Sequence, residues 1–281
     1  MAMWLWFINK IIIIFNFIKK LFVVTNKLTD SNILYRSNNY LIINKPYDMV
    51  VNSNNINVKK TLENELKKMF PHLANPLLKN GFYFVHRLDY PTSGVICIAL
   101  NKNSARAAST AFEKRKVKKY YLALVHGHIN ESHLIINKPI GQDTREILGN
   151  KKMCTIDDNY CIKPRDSCTL LLVLERGLRD GKPATKILLR PHTGRRHQLR
   201  VHCYYIGHTI IGDYTYSDRK DSKPHRTFLH SFRLALDNEI EKFDVRTSDP
   251  FNSNDYCNKW VPTNLICTLN NNTFDIIDKL I

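Results

Sequence analysis

The sequence predicts an α+β fold, with a mixed, largely antiparallel sheet and flanking helices. Three observations predict it. Apolar runs of strand length recur at 40–44, 82–85, 95–100, 118–125, 170–174 and 187–189. Helical spacing of apolar residues interrupts them at 61–70, 103–116 and 196–206. The two kinds of segment do not alternate regularly, as they would around an all-parallel sheet.

Each element follows from local chemistry. The run Tyr40-Leu41-Ile42-Ile43-Asn44 stops at Lys45-Pro46, a strand entering a turn. Leu62, Leu66 and Phe70 share one helical face, and Pro71 ends that helix. After the strand at 82–85, Pro91-Thr92-Ser93-Gly94 is a turn. Residues 95–100 are apolar at both parities, the pattern of a strand buried on both faces. Asn103 caps a helix carrying Ala107, Ala111 and Phe112. The runs at 118–125, 170–174 and 187–189 are further strands. The helix at 196–206 is closed by Gly207. Residues 142–167 carry little pattern and read as a variable insertion.

A chain of 281 residues can bury a substantial core without disulfides. Its 43% apolar and 24% charged residues exclude a disordered tail, a collagen and a mucin. The 42 Lys+Arg against 25 Asp+Glu leave a charge of +17. A field of that sign attracts polyanions, so nucleic acid or an anionic membrane surface leads the candidate partners. Abundant Asn and Ile are also what an AT-rich genome encodes, together with extra Lys, so charge alone does not decide. None of the seven cysteines stands in a C-x-x-C pair. That disfavours a zinc ribbon and suits reduced thiols inside a cell. Residues 1–24 are strongly apolar but interrupted by Lys10, Lys19 and Lys20. Those lysines suit no spanning helix, and the segment lacks the Arg and Ser of a mitochondrial leader. It reads as an apolar extension over 1–30, with an organelle leader or a membrane-surface helix as alternatives. The expected localisation is intracellular, cytoplasmic or mitochondrial.

Three segments can carry chemistry. The first is His86-Arg87-Leu88-Asp89, followed by Pro91-Thr92-Ser93-Gly94. Asp89 follows a strand, in a loop stiffened by proline, and it is the only carboxylate between Glu65 and Glu113. Beside an arginine it stays ionised, which suits a nucleophile. A plain structural Asp–Arg pair is the competing reading. The second segment is Lys119-Tyr120-Tyr121-Leu122-Ala123. Its two tyrosines alternate faces on a strand, and spacing does not choose which one reaches a pocket. The third runs from His192 to His202 and contains Arg195, Arg196 and Arg200. Thr193-Gly194 opens a turn whose backbone N–H groups suit phosphate oxygens. On a helix Arg195 and Arg196 diverge by about a hundred degrees, so one can face Asp89 and the other a phosphate backbone. His192, His197 and His202 recur every five residues and do not converge on a metal, so no metal is assigned. Lys102, Arg106, Lys114, Arg115, Lys116, Lys118 and Lys119 add a second basic strip.

At these segments the chain closely resembles the RluA-type RNA pseudouridine synthases. His86-Arg87-Leu88-Asp89-x-x-Thr92-Ser93-Gly94 resembles their catalytic-loop motif. Pro191-His192-Thr193-Gly194-Arg195-x-His197-Gln198-Leu199-Arg200-Val201-His202, with Gly207-His208 and Gly212-Asp213 after it, resembles the second motif. Asn44-Lys45-Pro46 is similar to the early Lys-Pro turn. The likeness runs from about residue 33 to about residue 235. Leu229-His230-Ser231-Phe232 and Ser248-Asp249-Pro250-Phe251 are similar to a eukaryotic subgroup, the RNA pseudouridine synthase domain-containing protein 1 type. Tyr47-Asp48 departs from the family, which usually carries a glycine there, and Asn52 stands near a common histidine position.

The resemblance implies the pseudouridine synthase catalytic fold over 31–250, with 251–281 packed on or trailing it. It implies isomerisation of uridine in RNA, whether tRNA, rRNA or mRNA, after the base is flipped from its stack. Asp89 would attack or assist at the ribose, and Arg195 would pair with it. Tyr121 would stack on the uracil and help remove the C5 proton. Leu199 would pack against the base, and Arg87 would fill the gap left by the nucleotide. His86, Arg196 and Arg200 complete the substrate-binding set. No cofactor is needed, because the reaction is redox-neutral, and the chain is expected to be a monomer. Two other classes compete: a catalytically silent RNA-binding protein of the same fold, and a glycosidase. The glycosidase would want a second facing carboxylate, which the second motif does not offer.

Overall fold

The computed structural model describes residues 28–55, 57–145 and 152–281; the apolar stretch 1–24 and most of the extension read over 1–30 lie outside them. The strands are β1 (Ile33–Arg36), β2 (Tyr40–Lys45), β3 (Tyr83–Phe84), β4 (Ser93–Ala99), β5 (Lys118–His126), β6 (His133–Asn137), β7 (Ile140–Asp143), β8 (Met153–Thr155), β9 (Cys161–Arg165), β10 (Cys168–Arg179), β11 (Lys182–Pro191), β12 (Leu229–Asp237), β13 (Lys242–Arg246) and β14 (Trp260–Leu265). The helices are α1 (Leu62–Met69), α2 (Lys102–Glu113), α3 (Gln198–Tyr205) and α4 (Asn271–Asp278). The main sheet runs β1-β2-β4-β12-β5-β11-β10-β14. Its β4–β12 pair is parallel and its other pairs antiparallel. The expected mixed, largely antiparallel α+β sheet is therefore present.

Every residue of β4 is buried. Val95, Cys97 and Ala99 pack with Ala108 and Ala111 of α2, while Ile96 and Ile98 pack with Leu62 and Leu66 of α1. Opposite parities thus serve opposite layers, and each large apolar side chain contributes on the order of 2 kcal/mol by leaving water. The same alternation sorts β5. Tyr120, Leu122 and Leu124 join Phe274 and Ile277 of α4 on one face. Ala123 and Val125 join Leu199 and Cys203 of α3 on the other. Tyr121 packs against both the α1 and the α3 clusters, so those two helices cover one face of the sheet.

Three local expectations are corrected. The cap of α2 is Asn101, not Asn103: the Asn101 side chain accepts from the Ser104 N–H at 2.9 Å. Ser104 in turn closes a capping box, so the helix starts two residues early. The third helix starts at Gln198, because His197 is left-handed at φ 55°. Arg195 and Arg196 therefore lie in a turn and not on the helix. Residues 142–167 contribute to a separate three-stranded sheet, β8-β7-β9, instead of a patternless insertion; residues 146–151 within it lie outside the described set. Beyond residue 250, β14 pairs with β10, and α4 packs on the core.

Candidate active site

The Asp89 loop lies between β3 and β4, where Gly94 makes the exit feasible. Gly94 has φ +107°, and a Cβ there would sit 2.1 Å from the Ser231 carbonyl oxygen on β12. Only a glycine lets the two parallel strands meet at this point. Ser93 beside it hydrogen-bonds His230 Nδ1 at 2.7 Å, and His230 Nε2 meets the Thr247 hydroxyl at 2.6 Å. Burial drives the pKa of His230 well down, so this histidine is a neutral brace behind the loop. Lys45 braces the loop from the other side. Fully buried, it donates to the carbonyls of Pro46, Met49 and Tyr90 at 2.9, 2.8 and 3.3 Å. Burial pulls its pKa down to about 7, while Asp48 and Asp89 act to raise it. The sequence marked Lys45 only as part of a turn. An apolar strand ending in a lysine with no acidic neighbour in β2 was the available signal.

The loop opens into a cleft of about 690 Å³. Asp89, Tyr121, Leu199, Arg87, His86, Arg195, Arg196 and Arg200 all line it. The structure thus gathers these eight residues, but it reassigns three. The guanidinium partner of Asp89 is Arg200, not Arg195. Arg200 Nη1 lies 3.4 Å from Asp89 Oδ2. Its Nε and Nη2 grip Asp213 at 2.7 and 2.8 Å, a bidentate pair. The Arg200 side chain is 5% exposed and Asp213 fully buried, whereas Asp89 retains 22% exposure. Gly212 permits this, because a Cβ on it would meet the Arg226 carbonyl at 2.1 Å. Arg200 is therefore a buried anchor and not a phosphate ligand. Burial opposes its charge, but the hydrogen bonds and field of Asp213, with Asp89 behind them, raise its pKa above the usual arginine value.

Arg195 sits elsewhere because Gln198 ties the turn before α3. Gln198 Oε1 accepts from the Arg195 N–H at 2.9 Å and from the Thr193 hydroxyl at 2.7 Å. Its amide donates to the Cys168 carbonyl at 2.9 Å. Arg195 Nε accordingly donates to the Asp166 carbonyl at 2.9 Å. His86 is the third reassignment. Its Nε2 accepts from the Cys97 N–H of β4 at 2.8 Å, and its ring stacks on Phe112. Burial and then Lys119 lower its pKa to about 3, so it is a neutral support of the loop.

Strand parity settles the tyrosines. Tyr120 points to the far core and donates its hydroxyl to Asp278 at 2.8 Å. Tyr121 lines the cleft. Burial, opposed by a hydrogen bond with Ser231 and reinforced by the charge of Asp89, pushes its pKa up to about 12. Arg87 and Arg196 are exposed at the rim, and Leu199 forms buried apolar wall. From the second basic strip, Arg115 and Lys119 line the cleft, whereas Lys118 pairs with Asp278 at 2.6 Å.

The histidines of the third segment do not gather. His197 Nδ1 meets the Tyr216 hydroxyl, and His202 is buried against Ser167, Thr169 and the Lys138 carbonyl. Among the described residues one metal-ligand-like group lies away from the cleft: Asp143, Cys154 and Asp158. Arg145 already bridges both of its carboxylates. Among the described residues no helix is long and apolar enough to cross a membrane.

The arrangement presents a partly exposed carboxylate, Asp89, tethered by a buried guanidinium, beside a neutral phenol and an apolar wall; the rim is largely cationic and also carries the exposed carboxylate of Glu113. Comparison with known proteins shows what the chain as a whole is similar to. The family model described as RNA pseudouridylate synthase matches residues 39–205. An RNA pseudouridylate synthase domain-containing protein 1 of Danio rerio is 42% identical over 253 residues, covering 90% of this chain and 86% of its own length. A tRNA pseudouridine synthase C of Haemophilus ducreyi is 33% identical, covering 66% of this chain and 74% of its own. The solved structure of human RNA Pseudouridylate Synthase Domain Containing 1 superposes with a TM-score of 0.76 at 40% identity, over 88% of this chain and 94% of that one.

Proposed function

The chain belongs to the RNA pseudouridylate synthase family, and on that premise we propose that it isomerises uridine in RNA to pseudouridine, with Asp89 as the catalytic carboxylate. The observation that carries the reading is the split state of the Arg200 guanidinium: two nitrogens on Asp213, the third at the edge of Asp89. Asp89 is thereby oriented without being sealed, and among the described residues no hydrogen bond reaches its Oδ1.

The steps balance within the cleft. The target nucleotide leaves its stack, because C1′ is out of reach inside one. An Asp89 oxygen attacks C1′, and the C1′–N1 bond breaks with its electrons going to the uracil. The uracil turns between Tyr121 and Leu199. C5 then attacks C1′ and displaces the carboxylate. The C5 proton is lost and N1 gains one, so the net change is an isomerisation. Tyr121 is held neutral, so it offers its ring as a stacking face and can only relay the C5 proton by passing its own hydroxyl proton on. Arg87, Arg115, Lys119 and Arg196 supply the phosphate contacts.

The test is a map of pseudouridine in total RNA from cells with and without the protein. At least one uridine loses its modification when the protein is removed. An unchanged map favours the silent RNA-binding reading of the same fold.

A further inference from the structure

Beside the catalytic cleft lies a second groove of about 260 Å³, between the β8-β7-β9 sheet and the turn before α3. Ile140, Met153 and Ile162 line it together with Lys163, Arg165, Arg195 and Arg196. Its size is just under the range of whole small-molecule pockets, which suits one part of a longer ligand. It shares Arg165, Gly194, Arg195 and Arg196 with the main cleft, so the two cavities are continuous along a basic edge.

We propose that this groove is a subsite for an unstacked base next to the target uridine, with the intervening phosphate on Arg165, Arg195 and Arg196. The proposal rests on the RNA reading above and adds to it where the strand runs beside the target. Three features carry it. First, Ile162 is 42% exposed on β9, where no described residue covers it fully. An apolar floor rimmed by cations fits the face of a base and the charge of its phosphate. Second, β9 carries a bulge: Ile140 pairs with Arg165 but Gln142 pairs with Ile162, which leaves one extra residue in β9. Lys163 within that bulge is left-handed at φ 49°. A bulge re-aims the side chains around it, and strain of this kind concentrates at working surfaces. Third, among the described residues the cations on the shared edge are poorly compensated. Burial and then the fields of Arg165 and Arg115 lower the pKa of Arg195, and Asp166 opposes them. A phosphate at that edge relieves the repulsion.

The test uses a uridine decamer carrying 4-thiouridine, crosslinked by light to the full chain and mapped by mass spectrometry. Crosslinks to the peptide containing Met153 or Ile162 are expected, together with crosslinks in the main cleft. In parallel, anisotropy is measured with a plain uridine decamer and with the same backbone made abasic. Ile162→Ser weakens the uridine decamer about fivefold and leaves the abasic one unchanged, since only a base uses that floor. Ile162 is exposed, so the variant keeps its fold, and Leu77→Ser at a 93% exposed site serves as control. Crosslinks in the main cleft alone, with unchanged Ile162→Ser affinity, overturn the subsite and leave the enzyme standing. Crosslinks at 153 or 162 without any pseudouridine formed in cellular RNA support the subsite and remove the enzyme.

Discussion

Nη1 of Arg200 lies 3.4 Å from Oδ2 of Asp89, and the rest of that guanidinium is committed to Asp213. The geometry divides one positive charge between two carboxylates. Asp213 fixes the arginine, and the arginine aims Asp89 without neutralising it. Arg200→Lys keeps the charge and loses the fork. It is expected to cut conversion by about a hundredfold, since misplacement near 1 Å costs that much. Arg200→Ala also strands buried Asp213 and destabilises by about 3–5 kcal/mol. Arg195→Ala moves affinity instead, lowering the salt dependence of RNA binding by about one ion. Single-turnover rates beside salt titrations separate the two arginines.

The neighbouring tyrosines give a paired test. Tyr120→Phe removes a hydroxyl that serves Asp278, so stability falls by about 1 kcal/mol and conversion is unchanged. Tyr121→Phe keeps the ring in the cleft and loses the proton relay. Conversion falls by about a hundredfold or more, with RNA affinity retained. Thermal melts and product assays on both variants check this.

Lys119 makes binding depend on pH. Burial holds its pKa down to about 8, so it is cationic below that pH and neutral above it. An ordinary lysine, near 10.4, would not titrate there. RNA affinity is therefore expected to fall as pH rises from 7 to 9. Lys119→Arg stays charged and abolishes the step. Anisotropy titrations at fixed ionic strength read it.

Gly94 tests the frame that holds the loop. Gly94→Ala adds a Cβ 2.1 Å from the Ser231 carbonyl, at a φ that alanine resists. The expected loss is roughly 3 kcal/mol or more. A melting curve within a degree of wild type contradicts the parallel β4–β12 junction as described.

Much of this was legible in residues. The double parity of 95–100 announced a strand with a layer on each side, and β4 has them. Asp89 stood out as a lone carboxylate at a strand end, and it opens into the cleft. The choice between Tyr120 and Tyr121 needed the family likeness, because spacing gives alternation but not which face is the cleft. The pairing of Asp89 with Arg195, which the resemblance implies, gives way to Arg200 for a tertiary reason. The sequence pattern places the helix start at residue 196, but left-handed His197 and the Gln198 side chain delay it to 198. Arg200 falls in the substrate-binding set because its partner, Asp213, is thirteen residues away in a turn set by Gly212. The β8-β7-β9 sheet escaped because its strands have three to five residues and one is bulged, too little for a period to show.

The central claim is that the Asp89 carboxylate performs covalent chemistry on a flipped uridine. Pseudouridine formed per enzyme, measured for wild type and Asp89→Asn on the same cellular RNA, tests it most directly when RNA affinity is measured alongside. Asparagine keeps the shape and cannot attack, so conversion is expected to fall by at least a thousandfold, or about 4 kcal/mol, with affinity within a few fold. An Asp89→Asn protein that still converts within about tenfold of wild type contradicts the account.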